Sequence, residues 1–407
     1  MSDDFDVPTR TIGTRIHELR TIRGFSLSEL GRRAHVSAPQ LSRIERGQRF
    51  ASPGVVASVA RVLGVGVSVL RGQPYIHMLQ KDRLDALLSP ISSALDSWDL
   101  LPDDESSPRS LDTLESEARR IAGLRVQTKF VEIADDLPGL LVESALVTQA
   151  SHRSDRDRER AFALQCEMAR TAAIVAYRMG FIDMARLALA RLAAAAPQSG
   201  DPRQVAVERF ERACITHAES SRPDRGVALV RRALRDLDDD GDRITKAVRG
   251  TLQLRAATHA LRSGDASASE DFLAQATELS QVTGETGSAD AVADYALSFG
   301  PIEVALSQLA AANDREDHTT ALKWAAEVRL PADYRPTGAA RYWIDKARAE
   351  TWTARHDAAL VSLSEAKRAA PQLTRYHPSV HELVGTLLRA RAKAPDPLRE
   401  FAMWSGV

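Results

Sequence analysis

Apolar residues recur at helical spacing along most of this chain, and almost nowhere in strand-like alternation. Ile12, Ile16 and Leu19 share one face, and Gly24 supplies the stop, so a helix is expected over about 12–23. Two short amphipathic stretches follow, each opened by a cap. Ser26 has Glu29 three residues on, and Ser37 has Gln40 three residues on, the capping-box spacing. This predicts helices over about 27–34 and 38–46, with a turn at His35-Val36 and a stop at Gly47. Ser52 then caps a helix with Pro53 in its first turn. Val56, Val59, Leu63, Val65 and Leu70 continue the apolar face and close a small five-helix domain near Gln73. One further helix, about 79–100, carries Leu84, Leu87, Leu88, Ile91, Leu95 and Trp98. The fold class is all-α.

Within the first domain, Leu30, Ala34, Val36, Leu41 and Ile44 can converge on one core. That leaves Ala38, Pro39, Gln40, Arg43 and Arg46 on the outside of the second short helix, the layout of a helix-turn-helix. The stretch LPDDESSPRSLD from Leu101 reads as a linker by its Pro, Ser and acidic content. Beyond about residue 160 helix pairs repeat. Gly180, Ala185 and Pro197 mark the turn, the helix contact and the close of one pair; Ala347, Ala359, Ala366 and Pro371 mark another. Weaker copies centre on Ala228, Ser269 and Ala321, so the spacings from Ala185 are 43, 41, 52 and 38 residues. About five degenerate pairs are expected, with residues 378–394 as the solvating end helix. The domain organisation is therefore a disordered acidic tail (1–10), the helix-turn-helix domain (11–73), a connecting helix and linker (74–110) and the repeats (111–407).

Charge sharpens this division. The 407 residues sum to −1, but between Pro8 and Arg71 eleven Arg stand against three Glu, leaving +8 there and −9 elsewhere. A basic head on an acidic body fits a nucleic-acid-binding module joined to a non-binding one. Cys166 and Cys214 are too few for a disulfide framework and read as buried small hydrophobes. MSDDFDVP has no basic-then-apolar leader pattern, and no run of eighteen apolar residues occurs, so a cytoplasmic protein with no membrane partner is expected. No HExxH, CxxC, Walker or GxSxG pattern is present. No catalytic residue, metal site or cofactor is expected, and the chain does not read as an enzyme.

The segment Ile12–Gln73 resembles the Xre family, the lambda- and 434-repressor-like helix-turn-helix proteins, in IGTRIHELRTIRGFSLSEL, VSAPQLSRIERG and SPGVVASVARVLGV. The resemblance implies that Arg20 pairs with Glu45, bracing the first helix against the recognition helix. His35 stands where the family has Gly in the turn, and Ala38 and Pro39 stand where relatives carry polar base-reading side chains. Joined to a tetratricopeptide-like array, such a head is similar to a group of actinobacterial regulators and, in layout, to the RRNPP peptide-pheromone receptors.

Chemistry assigns the DNA-facing candidates. Arg43 is long enough to read guanine O6 and N7 with two donors. Gln40 is a base reader or part of the cap; Ala38 and Pro39 can meet a thymine methyl; Ser37 opens the helix; Arg46 and Arg49 suit phosphates. In the array, the first helix of each pair is expected to line the concave side. That places Glu167, Arg170, Tyr177, Phe210, His217, Asn313, Arg341 and Arg348 there, of which Arg170, Tyr177, His217, Asn313, Arg341 and Arg348 are the candidate effector contacts. The pheromone receptors clamp peptide backbone with several Asn, whereas this chain has Asn313 alone. Trp324, Tyr334, Tyr342, Trp343, Trp352 and Tyr376 concentrate aromatics near the end, as packing or as a ligand wall. The expected function is a dimeric, sequence-specific transcriptional regulator of double-stranded DNA, with repeats that dimerise and sense a small-molecule or peptide effector. The alternative is a scaffold whose repeats bind a partner protein and whose head localises it to DNA.

Overall fold

The computed structural model describes residues 12–63, 65, 70, 78–100, 107–150, 154–219, 223–286, 295, 297–390 and 395–407, and no strand occurs among them. The acidic tail and the end of the expected five-helix domain lie outside the described residues, apart from Val65, which is half-buried, and Leu70, which is fully buried. The head comprises α1 (Ile12–Ile22), α2 (Leu27–Ala34), α3 (Ala38–Glu45) and α4 (Pro53–Leu63). Ser26 Oγ accepts from Glu29 N and Ser37 Oγ from Gln40 N, so both expected caps form. His35 ends α2 in the left-handed region, with φ 56°. Ile16, Leu30, Leu41, Ile44, Val59, Ala60 and Leu63 are buried together beneath these helices.

Helix α5 (Met78–Asp96), expected as a connector, packs on the array instead. Leu88, Ile91 and Leu95 join the core formed by α6 (Leu111–Val126), α7 (Phe130–Gln149), α8 (Asp155–Arg178) and α9 (Ile182–Ala195). The Arg191 guanidinium holds its C-terminal end by donating to Leu95 O at 3.2 Å and stacking over Trp98.

After α8 and α9, the pairs continue as α10 (Pro202–Glu219) with α11 (Pro223–Asp236), α12 (Arg243–Ser263) with α13 (Ala266–Thr283), α14 (Pro301–Asp314) with α15 (His318–Glu327), and α16 (Pro336–Trp352) with α17 (His356–Ala369). Helices α18 (Pro371–Arg375), α19 (Pro378–Arg389) and α20 (Asp396–Ser405) close the stack over Leu363, Leu383 and Phe401. Ala185, Ser269, Ala321 and Ala359 are buried at the helix contacts, as their spacing predicts. Ala228 is not: it is exposed, and the contact in α11 belongs to Gly226 two residues earlier. A Cβ on Gly226 would lie 2.2 Å from the His259 ring of α12, closer than any side chain tolerates. With Gly226 in place of Ala228, the spacings become 41, 43, 52 and 38.

The 52-residue interval has a visible cause. The connection from α13 to α14 is long, and its described part turns back across the first helices of earlier pairs. Phe299 is fully buried against Gly250 of α12, where a Cβ would come within 2.0 Å of its ring. Thr286 N donates to Phe299 O at 2.7 Å, closing the loop at its base. Further back, Tyr295 O accepts from Arg170 of α8, and its hydroxyl donates to Asp201.

Two outcomes follow. Gly250→Ala should lower unfolding stability by about 1–3 kcal/mol, because the added methyl must displace Phe299 or spread α12 from the crossing segment; a denaturant midpoint checks this. His259 is fully buried, and burial, together with nearby Arg255 and Arg262, pushes its imidazole from near 6.5 down to about 3. Its neutral form is thus the folded form. Its contribution to stability is complete above pH 6.5 and is lost as pH falls toward 3. His259→Gln should flatten that part of the urea midpoint's pH profile.

Candidate nucleic-acid interface

The site begins with how closely α1 approaches α3. Gly13 permits it: a Cβ there would lie 2.0 Å from the Ile44 carbonyl oxygen. Across this contact Arg20 reaches the end of the recognition helix. Its Nε donates to Glu45 Oε1 at 2.7 Å and its Nη2 to Glu45 Oε2 at 2.9 Å. The remaining nitrogen donates to Phe25 O at 2.8 Å, tying the same guanidinium to the start of α2. His17 Nδ1 lies 2.9 Å from Glu45 Oε2. Burial alone would raise the Glu45 carboxyl, but the hydrogen bonds from Arg20 and His17 outweigh it and hold it below the usual carboxylate range. Three elements are thereby fixed from behind.

The opposite face of α3 is open. Pro39 and Arg43 are exposed, Ala38 and Gln40 are partly exposed, and Arg46 follows, exposed at the C-cap. The Arg43 side chain makes no hydrogen bond or ion pair among the described residues, so its five donors point to solvent. Ser37 is occupied as the cap, and Arg46 Nε donates to Ser42 O at 3.2 Å. Arg49 departs from expectation. Its Nε donates to Glu316 Oε2 at 2.8 Å, in the turn between α14 and α15, so it is joined to the array.

The expected effector groove is corrected at half of its positions. Arg170 is 2 % exposed: Nε donates to Glu211 Oε1 of α10 at 2.8 Å, and Nη1 donates to Tyr295 O. Glu167 is buried with Arg125 Nη2 at 2.8 Å. Asn313 is fully buried, donating to Asp345 O at 2.8 Å. Arg348 is 6 % exposed, with Nη1 on Asp314 Oδ1 at 2.9 Å and Nη2 on Asn313 O at 3.0 Å. Helical periodicity places these groups on one face, but the neighbouring first helix covers that face and consumes their charge. Arg341 keeps more exposure while pairing with Glu303 at 3.4 Å, and Tyr177 is half-buried beside the Arg178 guanidinium. The His217 side chain lies outside the described residues. Burial pushes the Cys214 thiol up to about 11, and the Cys166 thiol is also raised, so neither is poised to react.

Sequence reasoning missed Phe50. It sits in the loop after α3, is 5 % exposed, and belongs to the array side of the head rather than to the head's own core. Its ring meets Trp352 edge-on at 5.9 Å between centroids, and the Arg348 guanidinium lies 3.8 Å over its face. The available signal was a lone large aromatic in the polar stretch Gln48–Ala51.

Residues 11–71 match the family described as a helix-turn-helix domain. Among solved structures, the chain is similar to Bacillus thuringiensis PlcR, crystallised in complex with the peptide PapR7 and DNA, at 15 % identity and a TM-score of 0.33, covering 67 % of this chain and 95 % of that one. No characterised protein sequence matches the chain as a relative. Among the described residues no helix is long and apolar enough to cross a membrane, and no three His, Cys, Asp or Glu are grouped to hold a metal ion.

The Arg20–Glu45 pair is largely buried, at 12 % and 7 % side-chain exposure. Arg20→Ala should therefore destabilise the head by about 3–5 kcal/mol, because it strands the Glu45 carboxylate. Arg20→Ala combined with Glu45→Ala should cost less than Arg20→Ala alone, as a double-mutant cycle of melting curves would show.

Proposed function

We propose that the chain is a cytoplasmic, dimeric, sequence-specific transcriptional regulator, in which the head reads an operator in double-stranded DNA and the array dimerises and senses a small-molecule or peptide effector. The observation that carries this reading is the contrast across α3. Its rear is locked by Arg20 and Glu45, while Arg43 projects from the front with no partner among the described residues. A helix entering the major groove needs such a preset axis, since base edges are read at hydrogen-bond distances. The local excess of Arg supplies the attraction to phosphate.

In this reading Arg43 takes a guanine edge, Gln40 an adjacent base, and Ala38 with Pro39 the methyl of a thymine. Arg46 approaches phosphate. Two heads in a symmetric dimer would engage successive major grooves about 34 Å apart, so the operator would be a near-palindrome. An effector contact that needs open cationic surface is best placed near Arg341, whose side chain is 41 % exposed.

Selection of binding sites from random DNA tests the reading. Against the selected site, Arg43→Ala should lose about 1–3 kcal/mol while scarcely changing affinity for random DNA. Arg46→Ala should weaken both and flatten the salt dependence by about one phosphate contact. Equal losses on both DNAs for Arg43→Ala would reduce it to a phosphate ligand, and failure to enrich any site would reject the reading.

A further inference from the structure

The head is joined to the array through the loop that follows the recognition helix. Phe50 enters a box made entirely by the array: Trp352 on one side, Arg348 over the ring, and His318 stacked behind Trp352 at 6.4 Å. The box is held in shape independently of Phe50. Arg348 is fixed by Asp314 and by the Asn313 carbonyl oxygen, and Asn313 Oδ1 lies 3.1 Å from His318 Nδ1. Next to the box, Arg49 pairs with Glu316. Two close approaches flank it. Gly47 abuts the Arg389 guanidinium of α19, where a Cβ would lie 3.1 Å from Nη2, and Gly54 faces the Arg262 carbonyl of α12.

Glu316 itself is an unusual choice. The turn between the two helices of a pair takes a left-handed residue, Gly180 at φ 89° in one pair and Gly264 at φ 87° in another. Glu316 occupies the matching position at φ 64°, as Ala354 does in the next pair at 59°. Glycine is the easier residue there. What the chain gains from Glu at this turn is a carboxylate, and that carboxylate is on Arg49.

We propose that this contact is a latch that opposes DNA binding: while Phe50 is boxed, Glu316 occupies the guanidinium of Arg49 in the place a DNA phosphate would take. The inference rests on the DNA-reading function proposed above. Arg49 lies four residues beyond the end of α3, where its donors can reach the phosphate backbone once α3 is in the groove. A phosphate and the Glu316 carboxylate are both acceptors for the same fork of donors, so one excludes the other. Glu316 also puts a carboxylate where the DNA backbone would approach, adding repulsion to competition. Trp352 Nε1 is buried at the box without a hydrogen-bond partner among the described residues, so the box that receives Phe50 holds one unmet donor.

The docked and free heads form a two-state equilibrium, and apparent DNA affinity falls by the fraction of heads that are free. Anything that shifts the first helices α14 and α16 against one another moves the walls of the box. A ligand on the array would thus change DNA affinity without touching the head.

The test uses the full chain with Phe50→Ala and, separately, Glu316→Gln, which keeps size and removes charge. Two readouts are needed. Hydrogen exchange of residues 46–54 reports undocking without DNA, and titration of the selected operator reports affinity. Both variants should exchange faster over 46–54, and both should bind operator more tightly, by about tenfold if docked heads outnumber free heads about ten to one. Arg49→Ala should also exchange faster but gain less operator affinity than Glu316→Gln, the shortfall being its lost phosphate contact, which separates the latch from that contact. Unchanged exchange in both variants would overturn the latch. Faster exchange with unchanged or weaker DNA binding would show that docking does not oppose DNA, and would overturn the proposal equally. If exchange responds but the wild type binds no selected DNA, the DNA-reading function fails, and the consequence proposed here fails with it.

Discussion

Each helix pair of the array has two apolar sides but covers only one within itself, so every pair depends on the next for the burial of its first helix. Short side chains where helices cross make this stacking close enough to exclude water. Gly226 does so against His259 of the next pair, Ser269, Ala321 and Ala359 do so where they are buried at helix contacts, and Gly250 does so beneath Phe299. Charge is then drawn into the same seams. Arg125 with Glu167, Arg170 with Glu211, and Arg348 with Asp314 bridge successive first helices. Such pairs add little net stability over apolar substitutes, yet breaking one strands the other, so they specify the angle between pairs more than they strengthen it.

The head was legible in some detail because its signals are local. Ser26, Ser37 and His35 act through residues within three or four positions, and the caps and turn form where the spacing puts them. The array was legible as a rhythm of small residues, but its register slipped at Ala228. Gly226 and Ala228 are both small, and only the His259 ring, thirty-odd residues on, decides between them. The concave charges failed for a related reason. Periodicity reports which residues share a face but not whether a neighbour covers it. At Arg170 the cover is Tyr295, brought back from a connection whose path no local pattern encodes.

Phe50 shows the same limit from the other side. In the sequence it is a single aromatic among polar loop residues, without a periodic partner. Its neighbours Trp352 and Arg348 lie about three hundred positions away, at the end of one first helix. Likewise nothing in the local sequence sets Glu316 apart, and its backbone angle and its bond to Arg49 give it a distinct role.

The crossing segment has a mechanical consequence. By fastening Tyr295 to Arg170 and Asp201, it straps α8, the turn before α10, and α12 together across one side, as a tie-rod stiffens an arch. Pairs beyond α13 carry no such crossing segment among the described residues; they are held by their adjacent neighbours, by the head through Phe50 and Arg49, and by Phe130 N of α7, which donates to Gln372 Oε1 of α18 at 3.1 Å. The head meets both parts of the array, α12 through Gly54 and the later pairs through Arg49 and Phe50, so it bridges the strapped pairs and the unstrapped ones. A shift of one part against the other is therefore felt at the head, the joint that spans the strap's edge.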